Sequence, residues 1–220
     1  MPMNEVVVGI TDYLLTLECA VFAGMLVRTA GGWSEMRLFF AIFFLALALT
    51  SLTGGTYHVW FPSSTSLPAN VLWKTTVVSL GAVAFAAWAA GACILFAQPA
   101  RGRVIRAAVI EFLAYSIYVA AIDDRFRVAI ANYIPAVVFL GIAFALTYSS
   151  RREVRVLIGL IGLIVTGFAA AIQIFGFSLH PHYFNHNATY HLIQAIGLFL
   201  IFLSALFFVR NPFQGAGIRS

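Results

Sequence analysis

At 220 residues the chain has room for one compact domain, yet 62% of it is hydrophobic and only 10% charged, with a mean hydropathy of +0.95. Soluble globular domains carry about 25% charged residues, so a water-covered surface is excluded and an all-α polytopic membrane protein is expected from repeated apolar runs of about 20 residues. The net charge of +5 rests on arginines at connectors and a single lysine, which reads as a topology signal and argues against a nucleic-acid partner.

Seven spans follow in chain order: Val6–Val27, Met36–Trp60, Asn70–Ala97, Val104–Ile122, Val128–Tyr148, Val154–Phe177 and Asn187–Val209. Turn-forming residues separate them, among them Gly31-Gly32, Pro62 to Pro68, Gln98-Pro99, Asp123-Asp124, Ser149-Ser150 and His180-Pro181. One seven-helix domain therefore fills residues 1–220, with no segment left for a soluble module. The first run contains Asp12 and Glu18 and lacks a basic leader, so a cleavable signal is not expected. Cys19 and Cys93 both fall in apolar runs and suit packing rather than a disulfide or zinc ribbon.

Positive charge sorts by side. Arg28, Arg37, Arg101, Arg103, Arg106, Arg151, Arg152, Arg155, Arg210 and Arg219 fall on one side, against Arg125, Arg127 and Lys74 on the other. Ten against three predicts a cytoplasmic C-terminus and an external N-terminus. A multi-pass protein of the bacterial inner membrane, or its equivalent, is the expected setting.

Polar side chains inside such spans cost several kcal/mol unless paired or facing a cavity. Here they collect at one depth. Asp12, His58, Lys74, Asn132, Gln173, His186, His191 and Gln194 all fall in the half predicted to be external, while Glu18 lies near mid-membrane and Glu111 toward the opposite half. A shared polar cavity in that half accounts for the pattern. Within the last span Asn187, His191 and Gln194 stand at i, i+4 and i+7, on one helical face. His186 joins that face only if the first turn is unwound.

All five histidines fall on this side. Catalytic zinc typically takes three protein ligands and leaves a position for water, and His58, His186 and His191 form such a set. Interfacial capping is the expectation for His180 and His182. Asp12 reads as general base, metal-linked carboxylate or salt-bridge partner of Lys74. Lys74 reads equally as snorkelling to the interface. Glu18 suits a structural hydrogen bond or a proton relay, and Glu111 has no assigned role. Asn132, Gln173 and Gln194 are amide donors near the site or interhelical glue. Asn187-Ala188-Thr189 matches a glycosylation acceptor, but a helix start disfavours its use.

The pair "TGGTYH" ending the second span and "HNATYHLIQAIG" opening the seventh resembles the CREST superfamily of seven-span membrane hydrolases, which includes the alkaline ceramidases and adiponectin-type receptors. Their shared pattern is Ser-x3-His on the second span, an aspartate, and His-x3-His on the seventh, gathered round zinc. The resemblance implies amide hydrolysis in a lipid-accessible cavity, with His58 and His191 at two of the histidine positions. It departs where Gly54 replaces the serine, with Ser51, Thr53 or Thr56 as substitutes, and where Asn187 replaces the first seventh-span histidine. Asp12, Asp123 or Asp124 would supply the aspartate.

The leading expectation is a metal-dependent membrane hydrolase acting on the amide or ester of a lipid or amphiphile. Zinc on His58, His186 and His191 would activate water, Asp12 would act as base or orienter, and Asn132 or Gln194 would steady the oxyanion. The alternative is a ligand-sensing or transport protein whose cavity performs no chemistry. Retinal chemistry is disfavoured, since the only lysine is Lys74 in the third span. Membrane lipids are the expected surroundings, and the oligomeric state is left open.

Overall fold

The computed structural model describes residues 3–30, 32–62, 64–180 and 183–211. Seven helices make up the described chain: α1 Met3–Arg28, α2 Glu35–Trp60, α3 Leu67–Leu95, α4 Ala100–Ala121, α5 Phe126–Arg151, α6 Val154–Ile174 and α7 His186–Arg210. Each is long and apolar enough to cross a membrane.

Polar turns lengthen several helices beyond their apolar runs. α1 begins at Met3 and takes Glu5 into its first turn, and α4 begins at Ala100, winding Arg101 and Arg103 into helix. A run ends where hydropathy falls, but intrahelical hydrogen bonding continues until a cap or breaker stops it. α6 stops at Ile174, three residues before the expected end, and Gly176 then takes a left-handed conformation with φ +70°. α5 ends on Arg152 at φ 54°, whose N–H reaches back to Tyr148 O.

α1, α2, α3, α5, α6 and α7 close into a ring, and α4 packs outside it against α3. Alanine explains how α3 packs closely between α2, α4 and α5. Ala84, Ala86, Ala87, Ala89, Ala90 and Ala92 are fully buried or nearly so, and such small residues let neighbouring backbones approach. Phenylalanines fill the rest of the core. Phe22 stacks on Phe202 at 4.3 Å, and Phe40, Phe43, Phe44, Phe144 and Phe208 are almost completely enclosed. Leucine, isoleucine and valine side chains such as Leu14, Leu17, Ile110, Ile117 and Ile164 cover the outside, as suits a helix bundle solvated by lipid.

Two seams are tight enough to require glycine. A Cβ on Gly9 would lie 2.1 Å from Val59 Cγ2, where α1 crosses α2, and a Cβ on Gly162 would lie 2.6 Å from Gly197 O, where α6 crosses α7. α5 and α6 meet more loosely, and the gap between them bears on the site.

Candidate functional site

The first turns of α1, α3, α5 and α7 and the last turns of α2, α4 and α6 share one end of the bundle. Four contacts fix that arrangement. Glu5 Oε2 meets His58 Nδ1 at 2.9 Å, Trp73 Nε1 donates to Asp124 O at 2.9 Å, Lys74 Nζ donates to Ala120 O at 2.6 Å, and Gln173 Nε2 donates to Asn187 Oδ1 at 3.1 Å. Two of these contacts join polar side chains of different helices and two end on backbone carbonyls beside the end of α4, all at this end of the bundle.

α1 supplies two carboxylates on one face, Glu5 and Asp12, seven positions apart. Each meets a histidine from a different neighbour. Glu5 engages His58 of α2, so Nδ1 of that ring carries the proton and Nε2 is left as its acceptor, without a hydrogen-bond partner among the described residues. Asp12 approaches His191 of α7, with Oδ1 3.3 Å from Nε2. Both are buried, at 5% and 8% exposure.

Thr11 Oγ1 donates to Val8 O at 2.8 Å and stands 2.9 Å from His191 Nδ1, so both nitrogens of that ring face protein oxygens. His58, by contrast, keeps Nε2 open.

His58, Asp12 and His191 line a cavity of about 280 Å³, with Gln173, Asn187 and Gln194 on its α6–α7 wall. Gln194 is 8% exposed, and its Oε1 is buried without a partner. Ser51, Thr76, Trp73, Phe126 and Tyr190 complete much of the remaining wall. Leu47, Leu80, Phe126, Gln173, Tyr190 and Gln194 are shared with an apolar groove of about 340 Å³ between α5 and α6. Exposed Ile134, Val138, Ile164 and Ile174 form the groove's rim. A polar chamber and an apolar slot on the side of the bundle thus adjoin along a common wall.

Of the expected site residues, Asp12, His58, His191 and Gln194 come together. His186 does not line the cavity. Asn185 caps α7, accepting from Ala188 N at 3.1 Å, so His186 is already helical and no unwound turn exists to swing it round. Five residues at about 100° each leave His186 roughly 140° away from His191. Asn132 lines neither cavity nor groove, and its Nδ2 is buried without a partner. Asp12 is paired with His191, while Lys74 bonds a carbonyl at the end of α4, where a cation suits the helix dipole. His180 Nδ1 accepts from Tyr183 N in the α6–α7 connector, a turn contact rather than a helix cap; His182 lies outside the described residues.

Zinc finds no ready donor set. Among the described residues no three His, Cys, Asp or Glu side chains are placed to hold a metal ion. Both ring nitrogens of His191 already face protein atoms, and a metal there would have to displace Thr11 or Asp12. The three expected ligands do not fit zinc as the helices hold them.

Glu5 and Thr11 escaped the sequence reading. Glu5 lies just before the first apolar run, but its i, i+7 relation to Asp12, with Gly9 between them, was a legible sign of a helix face pressed against a neighbour.

A model of a family of unknown function, DUF6962, matches residues 7–208. The chain belongs to that family. The match takes in all seven helices, and with them Asp12, His58 and His191, while Glu5 lies just before its start. No curated protein and no solved structure matches the chain.

Proposed function

We propose that the chain is a membrane hydrolase that cleaves the amide or ester bond of an amphiphile held with its polar part in the cavity and its apolar part in the groove. One observation carries this reading: His58, backed by Glu5, and the Asp12–His191 pair line the same chamber. Acyl transfer to water needs a base and an acid, and the two imidazoles supply them. His58 Nε2 takes a proton from water as the water oxygen attacks the carbonyl carbon, and Glu5 balances the imidazolium. The carbonyl π-electrons move onto oxygen, where amide N–H groups of the α6–α7 wall steady the charge. The oxyanion collapses, the bond to the leaving nitrogen or oxygen breaks, and the Asp12–His191 proton passes to that leaving atom.

The arginine asymmetry supports a placement with the N-terminus and cavity outside and the C-terminus in the cytoplasm of a bacterial inner membrane or its equivalent. Zinc takes no part in this scheme, because the donors do not converge.

The test is release of free acid from a panel of N-acyl and O-acyl amphiphiles by the purified chain. His58→Ala is expected to lower turnover by about 10²-fold or more, the usual contribution of a positioned base. A wild-type chain that binds these amphiphiles tightly and cleaves none of them establishes the alternative, a binding or transport protein without chemistry.

A further inference from the structure

The cavity's charge is bounded from above. Each imidazole in it is matched by a carboxylate, Glu5 for His58 and Asp12 for His191. A pair of this kind is neutral when ring and carboxyl together hold one extra proton, on either partner, and negative when they do not. No lysine or arginine is among the lining residues. Lys74, the cation nearest on α3, is bound to Ala120 O. The chamber therefore ranges from neutral to doubly negative, and its lining offers no Lys or Arg to an anionic head group such as a phosphate or carboxylate.

Gln194 adds a direction. Its amide oxygen is an acceptor buried where cavity and groove adjoin, with no donor among the described residues. Buried acceptors are normally paired, so the bound molecule is expected to supply an N–H or O–H there. Trp73, Phe126 and Tyr190 bring aromatic rings to the same wall, and aromatic faces attract cations.

We infer that the cavity selects an amphiphile whose head group is a primary ammonium, donating to Gln194 Oε1 and held by the field of Asp12. The inference rests on the reading of this cavity as the seat of the amphiphile's polar part, and it does not depend on hydrolysis. The apolar groove accepts the attached alkyl chain.

Binding of four octyl probes to the purified full-length chain in neutral detergent tests it: octylammonium, octyltrimethylammonium, octanol and octyl sulfate. Octylammonium is expected to bind at least tenfold more tightly than octanol, and octyl sulfate more weakly than octanol. Asp12→Asn should bring the ammonium-to-alcohol ratio close to one. Gln194→Met should weaken octylammonium while leaving octyltrimethylammonium, which has no N–H, unchanged. Because micelle partitioning of each probe is common to all variants, the ratios between variants isolate the site. Equal or tighter binding of the sulfate, or a preference for ammonium that survives Asp12→Asn, overturns the inference. Absence of turnover with the ammonium preference intact would sink only the hydrolase, and saturable octanol binding without charge preference would sink only the ammonium selectivity. Should Asp12→Asn fail to fold, the Gln194→Met comparison of primary against quaternary ammonium decides the matter alone.

Discussion

Glu5 and His58 stand 2.9 Å apart across the α1–α2 seam, joined from positions 53 residues distant. The contact forms where the seam is closest, because Gly9 and Gly55 let the two backbones approach within the reach of these side chains. Glu5 fixes the His58 tautomer, leaving Nε2 as the acceptor. Glu5→Gln is expected to keep the fold and lower turnover by about 10-fold to 10²-fold, less than His58→Ala, since the amide can still bond the ring but cannot balance its charge. Glu5→Asp should recover part of the loss. The pH–rate profile separates positioning from folding: Glu5→Gln should move the acidic limb, on which a general base is protonated, whereas an effect of packing alone would scale the whole curve.

Gly54 and Gly55 are adjacent in sequence and opposite in tolerance. A Cβ on Gly54 would lie 3.5 Å from Thr76 Cγ2 and 4.0 Å from Asp12 Oδ2, an ordinary contact. A Cβ on Gly55 would lie 2.7 Å from Asp12 Cβ and 3.2 Å from Gly9 O, with no flexible atom to yield. Gly54→Ser should fold normally and bring a hydroxyl beside Asp12. Gly55→Ala should cost about 1–3 kcal/mol through forced separation of α1 and α2. Thermal melts in detergent check both, and equal stabilities for the two variants would contradict the close approach.

The seven helices were legible because membrane spans announce themselves by length and hydropathy, which are local properties. Asp12, His58, His191 and Gln194 were legible because a polar group in an apolar run is conspicuous. His186 misled, since its place depends on whether one turn is wound, and the Asn185 cap that winds it is a matter of side-chain geometry. Asn132 misled for a different reason. Depth can be read from the sequence, but which face of α5 turns toward the chamber depends on packing against α3. Glu5 went unread because hydropathy cut the helix short of it. The groove between α5 and α6 was invisible, since a gap between helices has no residue of its own.

Asp123 offers a titration outside the spans. Arg125 holds its carboxylate through a side-chain hydrogen bond from Nε at 2.7 Å and a backbone N–H at 3.0 Å, lowering its pKa from 3.8 to about 2. A depressed carboxyl pKa contributes stability that is present above the unfolded value and lost as pH falls toward the folded one. The melting-temperature difference between wild type and Asp123→Asn should therefore be constant above about pH 5 and shrink between roughly pH 4 and pH 2. The Asp123 side chain is 12% exposed but its partner Arg125 is 61% exposed, so solvent screening keeps the effect small. A difference that instead grew on acidification would rule out this pairing.

Topology is testable without function. The ten-to-three sorting of arginine and lysine predicts that a reporter active only in the cytoplasm gives signal when fused after Ser220 and none when fused before Met1. The reverse pattern would invert the bundle and put the cavity on the cytoplasmic side, leaving its internal geometry untouched.

Metal content decides between two accounts of the same histidines. If His58 and His191 act as partners of Glu5 and Asp12, protein treated with a strong chelator should retain its turnover, and zinc in the untreated protein should fall well below one ion per chain. The reason lies in the donors: His191 has both nitrogens facing protein atoms, and His186 is turned away by the helix. His186→Ala should then leave turnover within about twofold, the behaviour of a surface substitution away from the site, whereas His191→Ala should reduce it sharply by removing the Asp12 proton partner. Elemental analysis and turnover on the same samples make the comparison direct. One zinc per chain, lost together with activity in His58→Ala, His186→Ala and His191→Ala alike, would mean that α7 unwinds at its start to complete a three-histidine site, and the metal would then take over the activation of water assigned here to His58.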